Sequence, residues 1–385
     1  MLKAVLTAGF AMFSMFFGSG NLVFPLLLGT QTLSHSFYAM CGFFLTAVLV
    51  PFLGLISMIA FDGNREKFFM TLGSATGFVL TFLMLALMGP FGVIPRCITV
   101  AYGGLQLVWP TLSFPVFSGL FCFLVGALIW KPNKVVSIIG IFLTPLKLGG
   151  IVILILFGLY FAAPIEGATL PTSHAFTTGF SMGYQTMDLI AAFFFSSTIV
   201  AYLREHMEDR SDKKLLLTSS VLASLIGACL LTAVYLGFVT LGASYAPHLT
   251  NASPEALLAA IASLTMGKYA LVIVSATLAV SCLATAVILA DLFAEFVRID
   301  ISRERLGFEL PRGLSTVLAM GTTFLVAQLG FSKICQVLGG VLEVAYPALI
   351  SLAIHHILHF WFQYNYSRSL FWGVLALSLG WAWLS

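Results

Sequence analysis

Charge is scarce in this chain. Asp, Glu, Lys and Arg make up 9% of its 385 residues against 60% hydrophobic residues, and the mean hydropathy is +1.04. So few charges cannot solvate the surface of a water-soluble domain, which excludes the soluble classes and leaves a polytopic membrane protein. Long polar segments are missing too. The loops reach only about two dozen residues, with no Walker loop, dinucleotide fingerprint or extramembrane domain, which excludes ATP-driven pumping by this chain alone. Cysteine pairing is absent: Cys41, Cys97, Cys122, Cys229, Cys282 and Cys335 fall singly in apolar runs, as small core residues do, with no disulfide or metal-ligand spacing. His355 and His359 stand four apart without a nearby carboxylate and read as interfacial residues, not as a metal site. The alternating segments of about ten residues that build a transmembrane β-barrel are also missing.

What the chain does have is apolar runs. A bilayer core about 30 Å thick needs roughly 20 apolar residues per helix. Eleven such runs lie near residues 4–29, 37–61, 75–105, 113–130, 135–163, 176–203, 214–243, 268–297, 313–330, 334–358 and 369–384. Lys and Arg are retained on the cytoplasmic side. With Lys3 inside, that side holds Lys3, Arg65, Lys67, Lys131, Lys134, Arg204, Arg210, Lys213, Lys214, Arg298, Arg303, Arg305, Arg312 and Arg368, fourteen of the 18 cations. The opposite loops hold Lys268 and Lys333, while Arg96 and Lys147 fall inside helices. The asymmetry places the N-terminus in the cytoplasm. Net charge +3 therefore reflects topology and points to no nucleic-acid partner. The first run is too long for a signal peptide, lacks a small-residue cleavage site, and is expected to stay as a helix.

Two of these runs are interrupted. In FFGSGNLVFP, Phe16 to Pro25, helix-weakening Gly18 and Gly20 flank Ser19 and precede Asn21 in the middle of a spanning segment. Irregular backbone survives at membrane depth only where protein or a watery cavity covers it. In transporters built from inverted repeats, half-helices at such breaks turn N–H groups toward an anionic substrate and carbonyls toward a cation. The sixth run carries the second interruption, GFSMGYQTMDLIAAF from Gly179 to Phe193, with Gly183, Tyr184, Gln185, Thr186 and Asp188 in its centre. The first run points outward and the sixth inward, as two inverted five-helix repeats over 1–163 and 176–358 require; residues 369–385 add a C-terminal helix. The alternative for Gly18, Gly20, Gly179 and Gly183 is close helix packing, and for Gly179 and Gly183 both readings can hold.

Here the residues reach a family. AMFSMFFGSGNLVFPLLLG, GPFGVIPR (Gly89 to Arg96), LTPLK (Leu143 to Lys147), GYQTMD (Gly183 to Asp188) and SCLATAVILADLFAEF (Ser281 to Phe296) resemble the branched-chain amino acid:cation symporters, the LIVCS family of the amino acid–polyamine–cation superfamily. The resemblance covers nearly the whole chain. It implies an all-α, leucine-transporter-type fold of five plus five inverted helices with helices 1 and 6 broken. It also implies import of leucine, isoleucine, valine and possibly methionine across a cell's inner membrane by cation symport, without a cofactor or enzymatic activity. The family usually has twelve helices, against eleven counted here.

Roles follow from the physics and the resemblance together. Backbone amides around Gly18, Ser19 and Gly20 are expected to receive the substrate carboxylate, and carbonyls near Tyr184 its ammonium, with Asn21 bracing the break or touching an ion. Asp188 either contacts substrate or ion, or caps the unwound sixth helix. Arg96 is costly at depth, roughly 2.5–3.5 kcal/mol on insertion scales, and is expected to face a cavity or pair with a carboxylate. The resemblance places a sodium ion between carbonyls near Ser14 and Phe17 and hydroxyls of the eighth helix, which suits a hard cation. Where the family usually carries adjacent hydroxyl residues, this chain reads Ala284-Thr285, leaving Thr285 and Ser281. Lys147 offers a second driver. Proton-coupled relatives in the superfamily carry a lysine in the fifth helix, and a buried lysine exchanges its proton readily; the other reading pairs Lys147 with Asp291 or Glu343. A channel would need a continuous polar pore and a membrane enzyme a catalytic cluster, and neither pattern is visible.

Overall fold

The computed structural model describes residues 1–130, 135–168, 171–207, 212–364 and 368–384, with the side chains of 135–147 and 384 outside the description. Apolar runs in a bilayer must satisfy their own backbone, and every regular element among the described residues is helical. The first crossing is α1 (Leu2–Phe16) and α2 (Ser19–Thr32), separated where Gly18 adopts extended φ −95°, ψ −166°. The second is α3 (Ser36–Phe44), a π-helical turn at Leu45–Leu49 and α4 (Val50–Ile59). A surface helix α5 (Arg65–Met70) follows, capped by the Asn64 side chain, which accepts from the Lys67 amide at 3.0 Å. The third apolar run, expected as one helix, is two: α6 (Ser74–Met88) and α7 (Val93–Val108), broken at Gly89–Gly92. A Cβ on Gly92 would lie 2.2 Å from the Leu87 carbonyl oxygen, so this corner closes only around glycine.

The chain continues with α8 (Phe114–Trp130) and α9 (Val135–Tyr160). The sixth crossing is again split, into α10 (Thr172–Tyr184) and α11 (Asp188–Glu205), bent by 41°. Next come α12 (Lys213–Tyr245), capped by Asp212, and α13 (Leu257–Phe296), interrupted at Gly267 with φ +79°. The last three are α14 (Arg312–Ala327), α15 (Phe331–Phe362) and α16 (Arg368–Leu384). These helices occupy the eleven apolar runs, with α1–α2, α3–α4, α6–α7 and α10–α11 as composite crossings.

Glycine sets how the broken crossings are held. A Cβ on Gly29 of α2 would sit 2.0 Å from the Val239 carbonyl oxygen of α12, and one on Gly242 would sit 2.1 Å from that of Leu26. A Cβ on Gly179 of α10 would meet the Ala39 carbonyl oxygen of α3 at 1.9 Å, and one on Gly42 that of Phe176 at 2.1 Å. Backbones approach this closely only without side chains between them. The first crossing thus packs on the seventh and the sixth on the second. Exchanging two inverted five-helix halves requires that correspondence, and the fold is of the leucine-transporter type, multi-pass and all-α.

Candidate functional site

Both breaks face one another at the centre of the bundle. The first N–H groups of a helix have no carbonyl of their own helix to bond, so α2 opens with Ser19, Gly20 and Asn21 amides and a partial positive charge. Gly18 differs: its N–H donates to the Phe16 carbonyl at 2.8 Å and to Asn21 Oδ1 at 3.1 Å. The expectation that Gly18 offers its amide to a ligand is therefore corrected, because Asn21 has taken it. The same side chain turns Nδ2 to Asp188 Oδ2 at 2.7 Å and to the Tyr235 hydroxyl. Asn21 thus braces the break by joining α2, α11 and α12. Tyr235, which the sequence did not mark, is fully buried and its hydroxyl also lies 3.5 Å from Asp188 Oδ2.

At the second break, Met187 sits in the left-handed region, φ 62°, ψ 20°, a strained conformation for an unbranched L-residue that surrounding contacts must hold. Arg96 supplies them. Placed in the first turn of α7 by the Gly89–Gly92 corner, it is 0% exposed; Nη1 donates to the Gln185 carbonyl at 2.7 Å and Nη2 to Met187 Sδ at 2.9 Å. Its guanidinium also lies 5.7 Å from the Phe24 ring centroid. The carboxylate partner expected for Arg96 is not there: no Arg96 nitrogen lies within 4.0 Å of a carboxylate oxygen among the described residues.

Between the breaks lies a cavity of about 300 Å³, at the lower end of the roughly 300–1,000 Å³ of small-molecule sites. Of the expected site residues it is lined by Ser14, Gly18, Ser19, Gly20, Asn21, Thr186, Asp188 and Thr285. Arg96 completes the polar end, while Met88, Val93, Ile288 and Leu289 supply apolar wall. The cavity extends along Ala191, Phe195 and Thr198 of α11, toward the side where the chain's N-terminus lies. On its other side, ring pairs Phe24–Phe331 and Tyr184–Tyr346, with centroids 6.0 and 4.7 Å apart, fill the space among α2, α10 and α15.

Several expected residues lie elsewhere. Gly183 packs on the π-helical turn after α3, where a Cβ would meet Thr46 Oγ1 at 1.9 Å, so helix contact is its role in this arrangement. Tyr184 is buried among Phe180 and Tyr346. Gln185 reaches away, its Nε2 donating to the Cys335 carbonyl at 3.0 Å. The carbonyls assigned to an ammonium already accept: Tyr184 from the Met187 amide at 3.1 Å, Gly183 from Thr186 Oγ1 at 2.9 Å, and Gln185 from Arg96. The anionic group turned to the cavity at this break is Asp188. Phe17 is buried against Phe13 and Phe238, and Ser281 lines a separate apolar cavity with Leu22 and Leu278. The Lys147 side chain lies outside the described residues. Both acids considered as its partners are engaged elsewhere, Asp291 with Arg312 at 2.7 Å and Glu343 accepting from Ser181 at 2.7 Å.

The family model described as Branched-chain amino acid transport protein matches residues 1–382. The chain is 32% identical over 371 residues to the branched-chain amino acid permease BrnQ of Bacillus subtilis, covering 92% of this chain and 81% of that protein. It is 32% identical to the branched-chain amino acid transport system 3 carrier protein of Pseudomonas aeruginosa, covering 91% and 79%. With BrnQ of Escherichia coli K12 the identity is 30%, over 95% and 82%. Among solved structures, an inward-facing conformation of Mhp1 superposes with a TM-score of 0.69 at 9% identity, covering 95% of this chain and 79% of the other. A closed conformation of Mhp1, a nucleobase-cation-symport-1 family transporter, superposes with a TM-score of 0.63 at 13% identity, covering 95% and 80%.

Proposed function

This chain belongs to the family of branched-chain amino acid transport proteins, and from that premise we propose that it is a secondary active transporter importing leucine, isoleucine, valine and methionine across the inner membrane. The observation that carries the reading is the cavity between the two helix breaks. Its lining combines the first turn of α2 with the apolar side chains of Met88, Val93, Ile288 and Leu289. An α-carboxylate bonds to the amides of such a first turn, and a branched aliphatic side chain is desolvated against these apolar groups at no polar cost. An unpaired charged side chain there would carry a desolvation penalty, so lysine and glutamate are poor substrates.

Sodium symport is the coupling that the site's oxygens support, with Ser14 and Thr285 lining the same cavity. Thr285 has one hydroxyl to offer, already donating to the Ser281 carbonyl at 3.2 Å, and Ala284 has none. A proton carried by Lys147 is the competing driver. With the N-terminus cytoplasmic, as the cation asymmetry supports, the cavity opens inward along Thr198. The transport cycle then exposes the site alternately to either side.

Proteoliposomes test this reading. Saturable leucine accumulation under an inward sodium gradient, inhibited by isoleucine and valine and not by lysine or glutamate, is expected. Accumulation under a proton gradient without sodium would reassign the driver to the proton. Equilibration without accumulation under either gradient would refute symport.

A further inference from the structure

A buried charge without a partner costs several kcal/mol in a protein interior, and more so at membrane depth. The central cavity holds a buried guanidinium and a buried carboxyl group, neither with a counter-charge in hydrogen-bonding contact. Arg96, on α7, has neutral contacts in the Gln185 carbonyl, Met187 Sδ and the Phe24 ring, and its Nε–H has no partner at all. Asp188, the first residue of α11, is 2% exposed and takes hydrogen bonds from neutral donors alone, the Asn21 amide and the Tyr235 and Thr186 hydroxyls. The two groups line the same 300 Å³ cavity yet form no ion pair with each other. The Ser19 hydroxyl, which lines the same cavity as Arg96, is buried and has no partner either. The positive end of α2 adds to the same attraction for an anion.

One class of ligand completes both charges at once. A zwitterionic α-amino acid carries a carboxylate and an ammonium on adjacent atoms, opposite in sign to the groups that wait. We propose that Arg96 and Asp188 are the two ends of a zwitterion clamp, Arg96 with Ser19 receiving the substrate carboxylate and Asp188 receiving its ammonium. This inference rests on the transport reading above and goes beyond it, because it adds a side-chain cation from α7 to the substrate site. The clamp explains why a membrane protein keeps an unneutralised guanidinium at its centre. It also makes the α-amino acid head group the selected feature: a site built to bond a group rejects analogues lacking it by large factors.

The test is ligand binding to purified full-length protein, with leucine, leucinamide, which lacks the carboxylate, and 4-methylpentanoate, which lacks the ammonium. Wild type is expected to bind leucine about 100-fold or more tightly than either analogue. Arg96→Gln is expected to weaken leucine about tenfold or more while changing leucinamide far less, since it removes a charge-assisted bond that leucinamide never makes. Asp188→Asn should do the same for leucine against 4-methylpentanoate. Unchanged leucine binding by Arg96→Gln, or equal weakening of leucine and leucinamide, makes Arg96 a brace of the break only and overturns the clamp. Should Arg96→Gln not fold, wild type decides: leucinamide bound as tightly as leucine overturns it equally. If wild type binds no leucine, the proposed function itself fails, and the clamp with it.

Discussion

At Asn21 one amide serves three partners, and its orientation is set by them: turned over, it would aim its NH₂ at the Gly18 N–H and its oxygen at the Asp188 carboxylate. Asn21→Ala removes one hydrogen bond from the Gly18 amide, which keeps the Phe16 carbonyl, and one from Asp188, which keeps Tyr235, at about 0.5–3 kcal/mol for each lost bond. Asn21→Asp is worse, because it sets a carboxylate against Asp188. Thermal unfolding in detergent should therefore rank wild type above Asn21→Ala above Asn21→Asp. Adding Asp188→Asn to Asn21→Asp should recover part of the loss, since an amide again faces a carboxylate; strict additivity of the two changes would show that the residues do not communicate. Gly18 and Gly20 separate in the same spirit. A Cβ on Gly18 meets only Asn21 Oδ1 at 3.7 Å, whereas one on Gly20 comes within 3.2 Å of the Phe24 ring and 3.4 Å of the Gln185 carbonyl oxygen. Gly18→Ala should keep both fold and leucine uptake, Gly20→Ala should lower uptake, and a leucine at either position should fill the cavity and abolish it. Full uptake by Gly20→Leu would place the substrate elsewhere.

Elements assemble here through glycine contacts that a sequence cannot tell from hinges. Gly179 and Gly183 are spaced as a packing pair and also lie next to a break; both readings were open until α3 was seen against α10, with Thr46 Oγ1 donating to the Phe180 carbonyl at 2.8 Å. Gly183→Ala is accordingly expected to lower folded yield and the unfolding midpoint without altering the relative affinities for leucine and isoleucine. A selective change in affinity with normal stability would return Gly183 to the substrate site. The second break itself was legible from GYQTMD, but the means of holding it was not. Arg96 comes from a motif 89 residues upstream, and no local pattern says that the Gly89–Gly92 corner aims a guanidinium at Met187.

On the scale of the whole molecule, the cavity runs past Ala191, Phe195 and Thr198 of α11, while the ring pairs Phe24–Phe331 and Tyr184–Tyr346 pack among α2, α10 and α15. On the proposed orientation, with cationic loops cytoplasmic, the Thr198 side is the inside. In a background lacking the 6 native cysteines, Thr198→Cys is expected to react with an impermeant maleimide in inside-out vesicles, more slowly with leucine present, and to be protected in right-side-out ones. The reverse pattern would invert the topology. Composition alone determined that the chain lives in a bilayer, because too few charges and too many apolar runs leave no soluble solution. The two polar breaks in that apolar chain marked where the central cavity would form, since unbonded backbone at membrane depth needs cover. Only the tertiary structure decided which groups face the cavity. Helix rotation and the angle of each half-helix turn Asp188 and Ser19 inward, Tyr184 and Gln185 away, and bring Arg96 and Tyr235 from distant segments. Those orientations depend on long-range packing, where a single glycine contact fixes a whole helix face, and one-dimensional patterns carry no record of it.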